Sequence, residues 1–320
     1  MKEMEEEKLG TAASIDPRAS RRAPEGALDA PRAWRRYALF LGVVLLCFGG
    51  ALWHWIRLAV SGELYSHLPL IPFVVAYLVW LRCATLRSLP SQPARWSALV
   101  LALAGVVVGV LAFSGQVPGR GAVLADVVFW QMLGVYLLTL AGGFWFFGVR
   151  VMKQCLFPIL ILAFMLPFPQ RVFLEFELFL QAASAEVSYW VLAMTGMPML
   201  REGFSFRLPG FAFNVAPECS GIRSTIVLFI TSLVAGEVFL KSPWRRAVLA
   251  LIVVPLGILR NTLRIFTIAM LCVHVDPSYV NSPIHHHGGP LFFLISLIPF
   301  FLILRSLRKS EVRCTMGAQR

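Results

Sequence analysis

Val172-Phe173-Leu174-Glu175-Phe176-Glu177-Leu178-Phe179-Leu180-Gln181-Ala182-Ala183-Ser184-Ala185-Glu186-Val187-Ser188-Tyr189-Trp190-Val191-Leu192-Ala193-Met194 decides how this chain is threaded. At about 1.5 Å per residue it is long enough to cross a bilayer. Its pattern is that of a helix with two unlike faces. Apolar residues recur at Val172, Phe176, Phe179, Ala183, Val187, Trp190 and Met194, and a polar stripe runs through Glu177, Gln181, Ser184 and Ser188. That spacing predicts an amphipathic helix lying in the outer membrane interface. A ninth span packed in the bundle is the alternative, and it would invert every later loop.

Apolar runs flank this segment at 37–56, 64–81, 96–113, 123–147, 151–168, 222–240, 247–272 and 291–304. Each is long enough, or nearly so, for a spanning helix. Cations gather in alternate connections: Arg82, Arg87 and Arg95; Arg150 and Lys153; Lys241, Arg245 and Arg246. Arg32, Arg35 and Arg36 precede the first run, and Arg305, Arg308, Lys309 and Arg313 follow the last. By the positive-inside rule these are the cytoplasmic ends. The expected fold is therefore all-α and polytopic, with about eight transmembrane helices.

The composition agrees. The chain has 320 residues, 58% hydrophobic and 14% charged, which is too apolar for a soluble domain. Its net charge of +12 does not imply nucleic acid, because the cations sit in short loops between apolar runs. Residues 1–36 are no signal peptide and read as a disordered cytoplasmic arm. Residues 37–307 form the membrane domain, and 308–320 a cytoplasmic basic tail. The six cysteines are scattered without a CxxC pair, so neither a disulfide framework nor a zinc knuckle is expected.

Beyond the amphipathic segment, residues 200–215 alternate apolar and polar, with a turn at Pro209-Gly210. This predicts a short external β-hairpin. It delivers the chain to Ala216-Pro217-Glu218-Cys219-Ser220-Gly221-Ile222-Arg223. Cys219 or Ser220 falls close to the N-cap of the sixth apolar run. The helix dipole there lowers a thiol pKa from about 8.5 and enriches the thiolate. Arg223 adds positive charge, and Gly221 permits close backbone approach.

The next run contains Arg260-Asn261-Thr262-Leu263-Arg264. An arginine at mid-membrane costs about 2.5–3.5 kcal/mol to insert, so an intramembrane arginine marks function or a specific partner. Arg260, Asn261, Arg264 and Thr267 share one helical face, expected to point into the bundle. The structural alternative pairs the arginines with Glu175, Glu177 or Glu186, or with helix carbonyls. The following outer loop supplies His274 and the triplet His285, His286 and His287, groups that carry protons near neutral pH. A zinc site would need further ligands at suitable spacing, so no metal or other cofactor is expected. A thiol, an imidazole and a guanidinium on one outer surface suit acyl transfer, as nucleophile, proton shuttle and oxyanion stabiliser.

At these residues the chain resembles the exosortase/archaeosortase family of prokaryotic membrane transpeptidases. The match rests on Cys219-Ser220-Gly221-Ile222, on Asn261-x-x-Arg264-Ile265, and on a histidine followed by Gly289 and Phe293, and covers roughly residues 40–305. The resemblance implies Cys219, Arg264 and His285 as catalytic, with His286 and His287 as alternatives for the histidine. It implies a thiol protease of the bacterial inner membrane with an extracytoplasmic site. Its partners would be C-terminal sorting signals of exported proteins: a short motif such as Pro-Glu-Pro, a transmembrane helix and a basic patch. Two further classes remain open: a transferase acting on polyprenyl phosphate, and an anion transporter using Arg260 and Arg264. Neither would need Cys219. Oligomeric state is unspecified.

Overall fold

The computed structural model describes residues 30–61, 65–89, 92–115, 123–209, 211–215, 221–276 and 289–317. They fall into two compact units, one of residues up to Arg57 with Leu68–Leu166, the other of Leu58–His67 with the chain from Pro167 onward.

The first unit holds α1 (Ala30–Cys47), most of α2 (Gly49–Ser61), α3 (Leu70–Leu81), α4 (Cys83–Ser88), α5 (Arg95–Phe113), α6 (Leu124–Phe146), α7 (Gly148–Gln154) and α8 (Leu156–Leu162). Helix α1 begins inside the arm expected to be disordered; residues 1–29 lie outside the described ones. Helices α5 and α6 touch backbone to backbone. A Cβ at Gly105 would stand 3.1 Å from the Gly134 carbonyl oxygen and 2.9 Å from Leu138 Cγ. Small residues at a crossing allow the close packing that holds helices together in lipid. Tyr37 donates to the Thr139 carbonyl at 3.2 Å and ties α1 to α6, and Trp55 Nε1 donates to the Met165 carbonyl at 2.8 Å.

Two expected spans are broken. Helices α1 and α2 meet at 78°, and the α7–α8 pair bends by 70°. The first break sits at Phe48-Gly49-Gly50, where two glycines weaken the helix. The second has a chemical cause in Pro158, which has no N–H to offer the carbonyl of Gln154. Arg82 Nη1 supplies the missing donor, 2.9 Å from that oxygen.

Among the described residues, five helical stretches are long and apolar enough to cross a membrane, and seven if each bent pair is one span. Eight were expected. The run at 64–81 contains only the 12-residue helix α3.

The second unit holds α9 (Gln170–Ala193), strands β1 (Leu200–Glu202), β2 (Ser205–Leu208) and β3 (Phe211–Asn214), then α10 (Ile222–Phe239), α11 (Pro243–Leu251), α12 (Val253–His274) and α13 (Gly289–Gly317). The strands form an antiparallel meander in the order β1-β2-β3, one strand more than the expected hairpin. Glu202 faces Ser205 across the added turn, and Phe206 faces Phe213 with their rings stacked 5.2 Å apart.

Helix α9 lies where the sequence puts it, but its faces are reversed. Ser184 and Ser188 are fully buried and Gln181 is 3% exposed, whereas Phe179 is 52% and Trp190 58% exposed. The polar stripe turns toward protein rather than water. Helix α9 packs chiefly on α12; Leu180 and Leu192 are buried with the polar stripe, while Leu178, Phe179 and Trp190 face outward. Its glutamates keep it out of the set of helices apolar enough to span.

Two apolar cores meet along α12. Ile265 and Ala269 join Ala185, Leu192, Phe206, Leu208 and Val215 in one core. Val253 and Leu256 join Leu228, Ala235, Leu249, Phe300 and Leu304 in the other. Arg260 and Asn261 occupy the seam between them. At the opposite end of α10, Glu311 accepts from the backbone amides of Lys241 (3.0 Å) and Ser242 (2.7 Å), and Arg246 pairs with Glu237. The basic turn is thereby fastened to α13.

Candidate active site

Helix α10 starts at Ile222, with Gly221 as its N-cap in the left-handed region at φ +71°. No side chain caps it. The Gly221 carbonyl is instead the most heavily used acceptor of this region. It receives Thr225 N at 3.1 Å, Thr225 Oγ1 at 2.9 Å, Ser224 Oγ at 3.1 Å and Arg260 Nη2 at 2.8 Å. The same Arg260 nitrogen lies 3.2 Å from Thr225 Oγ1. A Cβ on residue 221 would lie 2.6 Å from Arg260 Nη2 and 3.9 Å from Asn261 Cβ. The guanidinium fills the space a side chain would take, and only glycine combines that room with a positive φ.

The approach of α12 to α10 has its own requirement. A Cβ at Gly257 would sit 2.6 Å from Thr225 Oγ1. Glycine one turn before Arg260 therefore lets the two helices close and brings the guanidinium within reach of Gly221.

The chain enters from the sheet side through Val215. Its amide donates to the Phe204 carbonyl at 2.9 Å, and its carbonyl accepts from Gln181 Nε2 at 2.5 Å. Gln181 and Val215 are both buried. Residues 216–220 join these two anchors; Cys219 and Ser220 lie outside the described residues, as do His285, His286 and His287.

A sequence profile of the transmembrane exosortase family matches residues 55–302, well over half of the chain. The chain belongs to the exosortase family. No curated protein and no solved structure matches it.

Of the residues singled out in this exosortase's sequence, the structure brings Gly221, Arg260 and Asn261 together. Of the four residues expected to share an inward face, Arg260 and Asn261 are buried, whereas Thr267 is only partly so and its hydroxyl donates to the Leu263 carbonyl of its own helix. Arg264 follows one turn later on α12 and is half-buried, while Arg223 is exposed in the first turn of α10. Among the described residues no carboxylate pairs with Arg260; its partners are the Gly221 carbonyl and the Thr225 hydroxyl. Glu186, one of the carboxylates considered for it, binds Arg201 at 2.6 Å instead. That contact, with help from Trp190 Nε1, holds the Glu186 carboxyl below the usual carboxylate range. Arg201 also lies over the rings of Tyr189 and Phe206, tying β1 to α9.

Sequence reasoning missed three residues that build this cluster: Gln181, Thr225 and Gly257. For Gln181 the signal was present in the polar stripe but assigned to water. Among the described residues, no cluster of three or more histidine, cysteine, aspartate or glutamate side chains is placed to hold a metal ion.

Proposed function

We propose that this exosortase is a membrane-embedded cysteine transpeptidase or protease that cleaves C-terminal sorting signals of exported proteins on the extracytoplasmic face. The Cys219 thiolate attacks the scissile carbonyl, and Arg264 holds the developing oxyanion. His285, or His286 or His287 in its place, protonates the leaving amine as the C–N bond breaks. Water or an acceptor amine then resolves the thioester, releasing the thiolate. Ser220 and Arg223 flank the nucleophile at the positive end of α10, and Arg260 and Asn261 support it from α12.

One observation carries this reading: Gly221 is bonded to Arg260 on α12, the helix that bears Arg264. Consecutive Cα atoms are 3.8 Å apart, so Cys219 is tethered within about 7.6 Å of Gly221 by covalent bonds alone. Arg264 lies about 6 Å beyond Arg260 along the helix axis. That both residues lie within these distances of the Gly221–Arg260 contact supports a shared site.

The test is substrate processing in Cys219→Ala and Cys219→Ser membranes. Processing should vanish while abundance and insertion stay normal. An impermeant thiol reagent should label Cys219 from outside the cell. Retained processing in either variant would remove the thioester mechanism. Labelling confined to permeabilised cells would reverse the topology.

A further inference from the structure

Gln181 is a buried amide in the middle of a helix, and burying an amide is unfavourable unless it is hydrogen-bonded. Its donor goes to none of its own helix's carbonyls. It crosses from α9 to the main-chain carbonyl of Val215, the last described residue before the segment that carries Cys219. Val215 is held on its other side by Phe204, within the meander. At the far end of the same segment, Arg260 and Thr225 hold the carbonyl of Gly221. Both anchors are side-chain donors on main-chain oxygens, and both come from helices that pack on each other, α9 and α12. Hydrophobic packing of Val215 needs no such bond, since its side chain is already in the core with Phe206 and Ile265.

We infer that Gln181 is a positioning residue for the Cys219 nucleophile: with Arg260 it fixes Val215 and Gly221, the residues on either side of the segment that carries the thiol. This rests on the proposed function above. Gln181 touches no reacting atom in this scheme; it acts through the backbone. A misplacement of about 1 Å at a reacting group can cost on the order of 100-fold in rate.

The decisive experiment uses the full-length membrane protein carrying Gln181→Met, which keeps length and volume and removes the donor. Turnover of a sorting-signal substrate should fall about 10- to 100-fold, with KM changed little. The pH midpoint for alkylation of Cys219, localised by peptide mass spectrometry, should move up toward the free-thiol value of about 8.5. If Gln181→Met does not accumulate, Gln181→Leu, which also lacks a donor and stays apolar, is read by the same two measurements. Wild-type turnover with an unshifted alkylation profile overturns the inference. So does a stability loss without either change. The reading of function fails separately, by processing that survives Cys219→Ala.

Discussion

Arg260 Nη2 lies 2.8 Å from the carbonyl oxygen of Gly221 and occupies the place where any other residue at 221 would carry its Cβ. One guanidinium nitrogen therefore does two things. It compensates a buried cation with a main-chain oxygen and a threonine hydroxyl, and it restricts position 221 to glycine. Because buried charge is tolerated only when hydrogen-bonded, the two positions stand or fall together.

Gly221→Ala should be damaging beyond its size. A non-glycine residue in the left-handed region costs about 1–2 kcal/mol, and the new methyl would meet Arg260 Nη2 at 2.6 Å. We expect a lower thermal midpoint in detergent and a loss of processing of at least tenfold. A variant with wild-type stability and turnover would mean that the guanidinium moves aside at no cost.

Gly257→Ala should push α10 from α12 through Thr225 Oγ1, 2.6 Å from the added methyl. Thr225→Ala removes that obstacle while giving up one bond to Gly221. The pair should be non-additive, the double variant more stable than the sum of the singles by about 0.5–3 kcal/mol. Additive losses in a double-mutant cycle would show that the helices do not meet there.

Arg264→Lys should leave the protein inserted and abundant but nearly inactive. An ammonium keeps the charge and lacks the planar donor fork suited to an oxyanion. Processing in membranes matched for protein level is the readout, and near-normal turnover would make Arg264 structural.

How far the sequence reaches is clear from particular elements. Helices α5, α9 and α10 fall within a few residues of where apolar periodicity puts them, because periodicity is local. The spacing of Gln181, Ser184 and Ser188 identifies residues that share a face, but not what covers it. In α9 the cover is α12, so the stripe is internal. The break at Cys155 was legible in principle through Pro158, whose orphaned Gln154 carbonyl needed a donor; that Arg82 provides it depends on a contact across 72 residues. The same holds for Gly257, whose need to be glycine exists only because Thr225 arrives from another helix. Strand β1 lies inside the stretch read as one hairpin; what the alternation did not reveal is the second turn, at Gly203 (φ +64°), that folds it back on β2.

The Glu186–Arg201 pair predicts an acid-sensitive contact at the α9–sheet junction. The Glu186 carboxyl titrates below its ordinary range, chiefly through the Arg201 hydrogen bond. A depressed carboxyl contributes stability above its unfolded pKa of about 4.3 and loses it as pH falls through the lower folded value. Glu186→Gln should therefore differ slightly from wild type in thermal midpoint at pH 7, the pair being exposed. The difference should shrink on acidification below about 4.3. A pH-independent difference would assign the effect to packing instead.

The central claim is a thioester on Cys219, and trapping it is the most direct measurement. Membranes incubated with a sorting-signal substrate, quenched in acid and digested, should yield a Cys219 peptide bearing the N-terminal part of the substrate. Neutral hydroxylamine should release that adduct, and Cys219→Ser membranes should lack it. Processed substrate with an unmodified Cys219 peptide, together with processing by Cys219→Ser, would contradict the account.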